Sequence, residues 1–135
     1  MREILFRGKR DENDEWVFGD LIHEPWASCI QVTEQVIENN NIDIFKRTKY
    51  SVHKETVGQY TGLTDKNGEM ILEGDVLRLD GEDRFFVLEY QDYTARFVMS
   101  GDSMVIDFDN FWNYDVEVIG NIHDNPEILE EGGEE

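Results

Sequence analysis

Tight-turn signals recur so closely in the second half of this chain that only short strands fit between them. Asp65-Lys66-Asn67-Gly68, Glu73-Gly74-Asp75, Asp80-Gly81 and Ser100-Gly101-Asp102 are built from residues that accept positive φ or bond to their own backbone in turns. Between them lie Val76 to Leu79, Arg84 to Tyr90, Ala95 to Met99 and Met104 to Phe108, and Asp115 to Ile119 ends the series. Their aromatic and β-branched content suits a pleated surface. In the last segment, alternation places Val116 and Val118 on one face and Asp115, Glu117 and Ile119 on the other. A run of short strands with such turns predicts a small barrel or sandwich.

The first half is less regular. Ile4-Leu5-Phe6 and Trp16 to Ile22 flank the polar separator Lys9 to Glu15, the pattern of a β-hairpin with a solvated loop. Pro25 then interrupts. Ile30 to Thr33 reads as a short strand, but the apolar positions Val36, Ile37, Ile42, Ile44 and Phe45 fit neither helical nor strand period, and Asn39-Asn40-Asn41 signals a turn or mobile loop. Tyr50-Ser51-Val52 and Thr56 to Tyr60 return to strand character. Asp109 to Tyr114 is too short for a normal helix and is expected to form one helical or 3₁₀ turn. The acidic segment 130–135 has no apolar anchor and is expected to fray.

With 135 residues, 16 of them aromatic, the chain has enough large side chains for one compact core. Cys29 is the only cysteine, which excludes an intrachain disulfide and a thiolate zinc site. No apolar run reaches the length of a signal core or a membrane span, so a cytoplasmic protein with no membrane contact is expected. The net charge is −19, and it is uneven: residues 1–60 hold eight basic against eleven acidic groups, residues 61–135 four against twenty. A field of −16 over the second half disfavours direct contact with a phosphate backbone and permits a basic partner.

No motif for phosphate binding, zinc hydrolysis or serine acyl transfer occurs. His23, His53 and His123 lie in separate segments without metal-ligand spacing. A calcium loop beginning at Asp65 fails because its twelfth position is Val76. Ser51-Val52-His53-Lys54 fits S-x-x-K but lies in a strand-like segment. No catalytic, cofactor or metal residue is therefore assigned, and no cofactor is expected. Asp107 and Asp109 would share one side of an extended strand, where they could bind a cation or act as acid and base. Phe108, Phe111, Trp112 and Tyr114 could plug the core or line a groove. Asp107, Asp109, Phe111, Trp112 and Tyr114 are the candidate partner surface.

Three blocks resemble a known family. They are Arg2 to Arg10 with Glu15 to Ile22, Glu55 to Gly68 continuing through Ile71 to Val76, and Val116 to Leu129. Together they are similar to the YopX family of phage and prophage proteins, with residues 24–49 the least matched. The resemblance implies a mainly β protein with minor α: an N-terminal β-hairpin and irregular extension over 1–54, an SH3-like barrel over 55–129 and a disordered tail over 130–135. It transfers no catalytic residue, because the family carries no established molecular activity. The expected role is a phage accessory protein, non-enzymatic, that binds a host or phage protein and acts in one version as an acidic mimic of DNA. The alternative is a small ligand-binding protein or enzyme using the carboxylate pair and aromatic groove. A virion component and a homo-oligomer are also compatible with the sequence.

Overall fold

A computed structural model describes residues 2–37, 43–101 and 103–133. The fold is mainly β and divides into two compact units, Glu3–Gln59 and Tyr60–Glu135. The first holds β1 (Phe6–Lys9), β2 (Trp16–Glu24), β3 (Ala27–Ile37), β4 (Asp43–Val52) and a 3₁₀ turn at Lys54–Thr56. Strand β5 (Gly58–Thr64) begins beside β1, through Phe6 opposite Gln59 and Arg7 opposite Gly58.

The expected hairpin forms, with Lys9 opposite Trp16 and Phe6 opposite Gly19. At Gly19 the strand changes partner: from Asp20, opposite Gln31, to Glu24, opposite Ala27, β2 pairs with β3. A Cβ at Gly19 would collide with the Gln31 carbonyl oxygen, so the corner requires glycine. The sheet then curls until the end of β4 meets the end of β1. Arg10 bridges Val52, the Asp11 N–H donates to the Ser51 carbonyl at 3.0 Å, and the His53 N–H donates to the Lys9 carbonyl at 2.9 Å. Val52 fills the inside of this closure against Gly8, where a Cβ would lie 3.0 Å from its side chain.

The irregular extension expected over 24–49 is instead a long β-ribbon. β3 and β4 pair continuously from Ser28 opposite Val52 to Ile37 opposite Asp43. Cys29 and Ile30 are buried on successive positions, whereas Thr33 to Val36 and Ile44 to Arg47 are all exposed. Neither half alternates in burial, so no period marks the ribbon. The Asn39-Asn40-Asn41 loop expectation lies outside the described residues.

In the second unit the rest of β5 pairs with β6 (Met70–Leu72), and a five-stranded antiparallel sheet has the order β10-β9-β8-β7-β11. Its strands are β7 (Asp75–Leu79), β8 (Phe85–Gln91), β9 (Arg96–Gly101), β10 (Met104–Asp107) and β11 (Val116–Asn121). The core lies on one face: Ile71, Leu77, Phe86, Leu88, Met99 and Val116 are fully buried, joined by Leu79 and Phe108. The expected β7 to β9 meander and the alternation of β11 are present, with Val116 opposite Leu79 and Val118 opposite Leu77. Asp102, from the Ser100-Gly101-Asp102 turn, lies outside the described residues.

The SH3-like barrel is not found as a closed barrel. Among the described residues no ladder joins β10 to β11; β10 ends after four residues, and the chain crosses the end of the core as Phe108 to Asp115. Helix α1 (Pro126–Gly133) follows β11, so residues 130–133, expected as frayed tail, carry helical backbone. Proline suits the first helical turn, where its missing N–H has no partner to lose. A Cβ at Gly120 would stand 2.6 Å from Asn125 Oδ1 and 3.0 Å from Ile128 Cδ1, so glycine on β11 lets this helix approach.

One buried carboxylate organises the turn before β6. Asp65 is 1% exposed. Its Oδ1 accepts from the N–H groups of Asn67 (2.8 Å) and Glu69 (2.9 Å), and its Oδ2 accepts from the Val118 N–H at 2.8 Å. The turn is thereby stitched to β11, assisted by the Lys66 N–H donating to the Val116 carbonyl at 3.2 Å.

Two stability measurements check this reading by urea unfolding. Gly19→Ala should lose about 3 kcal/mol or more by overpacking, whereas Gly68→Ala, at φ +82 with open space around it, should lose only about 1 kcal/mol. Asp65→Asn turns one acceptor into a donor facing the Val118 N–H and should lose about 2 kcal/mol, while Asp65→Ala strands three amides and should lose about 4 kcal/mol.

Candidate functional site

The segment from Phe108 to Asp115 folds by local polar bonds, because its composition suits neither strand nor helix. The Asp109 side chain closes an Asx turn by accepting the Phe111 N–H at 2.9 Å, and its carbonyl accepts the Trp112 N–H at 3.1 Å. A 3₁₀ turn follows at Asn113–Asp115, with the Asp115 N–H donating to the Trp112 carbonyl at 2.9 Å. Each end is tied to a strand or its exit: Phe108 donates to the Phe97 carbonyl at 2.9 Å, and the Asp115 carbonyl accepts the Asp80 N–H at 2.9 Å.

The middle is anchored by Asn113, which is 2% exposed and donates from Nδ2 to the Thr64 carbonyl at 2.7 Å. Thr64 immediately precedes Asp65, so the loop and the buried carboxylate brace the same turn. Asn113 Oδ1 is buried without a hydrogen-bond partner.

This bracing splits the aromatic cluster. Phe108 is buried and Trp112 packs half-buried on the core, while Phe111 and Tyr114 are 74% and 70% exposed. The Phe111 ring meets Trp112 edge-on, with centroids 5.1 Å apart. An aromatic ring held out of the core on a hydrogen-bonded loop would need little further ordering if another surface covered it.

The predicted carboxylate pair does not converge. Asp107 Oδ2 lies 2.6 Å from Arg96 Nη1 across the β9–β10 ladder, and Asp109 is engaged in its own turn. The chain has left the strand at Phe108, so the shared side assumed for an extended strand is lost. Asp107, Asp109 and Asp115, at and within the loop, are all exposed. Lys66, whose Nζ donates to Asp80 at 2.7 Å, is held above its ordinary pKa by that hydrogen bond.

The other sequence candidates are placed as follows. His53 has Nδ1 3.2 Å from Asp11 and Nε2 2.9 Å from Asp14, and the Ser51 hydroxyl donates to Asp11 at 2.6 Å. Among the described residues, no group of three or more histidine, cysteine or acidic side chains is placed to hold a metal ion.

Two neighbouring aromatics escaped the sequence reading. Tyr93, in the turn between β8 and β9, is 85% exposed, and Tyr90 stands edge-on to Phe97 at 5.3 Å and is itself exposed. The signal for Tyr93 is an aromatic between Asp92 and Thr94, in the turn between two strands, whereas Tyr90 reads in sequence only as the end of its strand.

A solved structure, that of protein EF1440 from Enterococcus faecalis, is similar to this chain at 25% identity with a TM-score of 0.65, over 96% of this chain and 99% of the other. No curated protein matches it. No helix among the described residues is long and apolar enough to cross a membrane. The family described as YopX protein matches residues 5–130, most of the chain and including the Phe108–Asp115 loop. On that match, the chain belongs to the YopX family.

Proposed function

We propose that this chain is a non-enzymatic protein-binding module of a phage or prophage, acting in the bacterial cytoplasm. It engages a basic host or phage protein through the Phe108–Asp115 loop. The observation that carries this reading is the exposure of Phe111 and Tyr114 on a loop whose Phe108, Phe111, Trp112 and Asp115 N–H groups are all hydrogen-bonded. Exposed aromatics in a rigid setting are the side chains that most often dominate an interface. The exposed carboxylates of Asp107, Asp109 and Asp115 and the −16 charge of residues 61–135 favour a cationic partner and speed its approach. The meander of β7 to β10, followed by a 3₁₀ turn and a final strand beside β7, supports reading the second unit as an open relative of SH3-like folds.

The charge also favours a sharper version, in which the acidic half occupies the nucleic-acid site of a basic host protein. Competition with DNA for such a protein would then be strong at low salt and fade as salt is raised. Competition that ignores salt would leave only the aromatic-loop reading.

The direct test is binding of a partner recovered from infected host cells to wild type and to Phe111→Ala/Tyr114→Ala. The double variant should bind about 30-fold more weakly or worse, with unchanged unfolding behaviour, because both rings are exposed. Equal affinity for the two proteins would overturn the assignment of the loop.

A further inference from the structure

The outer half of the β3–β4 ribbon carries a surface of a different kind, independent of the aromatic loop. In the sheet order β4-β3-β2-β1-β5-β6, β4 has, among the described residues, a ladder partner on one side only, and on its other side the main-chain contacts with Asp11 and Arg10 are confined to its last two residues, Ser51 and Val52. Edge strands commonly discourage pairing with charges of one sign. This edge instead reads Asp43-Ile44-Phe45-Lys46-Arg47, a sequence complementary to itself about Phe45.

Antiparallel pairing of two copies with the symmetry axis at Phe45 sets Phe45 against its own counterpart. It sets Ile44 against Lys46 of the second copy, and Asp43 against Arg47 of the second copy. Directly opposed residues of an antiparallel pair share a face, so this register gives an aromatic pair, two contacts of isoleucine with a lysine stem, and two opposite-charge pairs. Centring the axis on Asp43, Lys46 or Arg47 would oppose like charges, and centring it on Ile44 would set Asp43 against Phe45, so Phe45 is the centre that pairs unlike charges without opposing like ones.

The apolar surface for such a seam is present. Phe45 is 55% exposed and Ile44 44%, and Val36, opposite Ile44 in the β3–β4 ladder, is exposed beside it. Each copy carries −19, but screening confines that repulsion to about 8 Å at physiological salt, which leaves the local pairing to decide.

We propose that a second copy of this chain docks along the free edge of β4, forming a two-fold symmetric dimer centred on Phe45. Main-chain hydrogen bonds across the seam supply affinity, and the Asp43–Arg47 pairs fix the register.

Sedimentation equilibrium over about 1 to 300 µM tests this. Wild type should rise from monomer towards dimer mass. Asp43→Arg and Arg47→Asp each oppose like charges at both ends of the seam and should raise the dissociation constant at least about tenfold. Mixed in equal amounts, these two variants complement each other at both ends and should associate again. Wild type that stays monomeric throughout, variants that associate as well as wild type, or a mixture no stronger than its parts would each overturn the proposal.

Discussion

A carboxylate taken out of water is tolerable only where donors replace the water, and Asp65 is held by three backbone amides from two separate segments. That requirement fixes the second unit. The amides of Asn67 and Glu69 define the turn into β6, and the amide of Val118 brings β11 to it. With β11 in place beside β7, the chain must cross the end of the core between β10 and β11, and Asn113 ties that crossing to Thr64. The loop that presents Phe111 and Tyr114 is thus held by the same turn that Asp65 organises. The proposed partner surface depends on the bonds that satisfy one buried side chain.

The first unit solves a different problem. The strands of the first unit, β1 to β4 with the start of β5, reduce their exposed edge by curling, and they can curl because Gly19 admits a carbonyl where any side chain would collide. Closure is seen where Val52 and His53 reach Lys9 to Asp11. Farther out along the ribbon, Thr33 to Val36 and Ile44 to Arg47 are exposed. Buried edge and free edge therefore coexist on the same strand, β4, and only the free part is open to another chain.

How much of this the residues disclosed depends on whether burial leaves a period. The β7 to β9 meander was legible because turns at Asp80-Gly81 and Ser100-Gly101-Asp102 bracket apolar runs that face a single core. The β3–β4 ribbon was not, since Thr33 to Val36 and Ile44 to Arg47 are exposed on both sides and sheet propensity alone shapes them. Asp65 reads in sequence as an ordinary solvated turn residue; that it is buried depends on β11, more than fifty residues away. The site was half legible. Phe108, Phe111, Trp112 and Tyr114 stood out as a cluster, but a loop of mixed turns has no periodicity to say which rings point inward, and the strand that would have paired Asp107 with Asp109 stops at Asp107.

The aromatic loop should be as rigid as the strands it joins, because Asn113 and the Asp65 turn hold it in place. Backbone ¹⁵N relaxation tests this most directly. The amides of Phe111, Trp112 and Asp115 should show order parameters of about 0.85, matching those of β8 and β9. Values below about 0.6 in the loop, with the strands rigid, would contradict it.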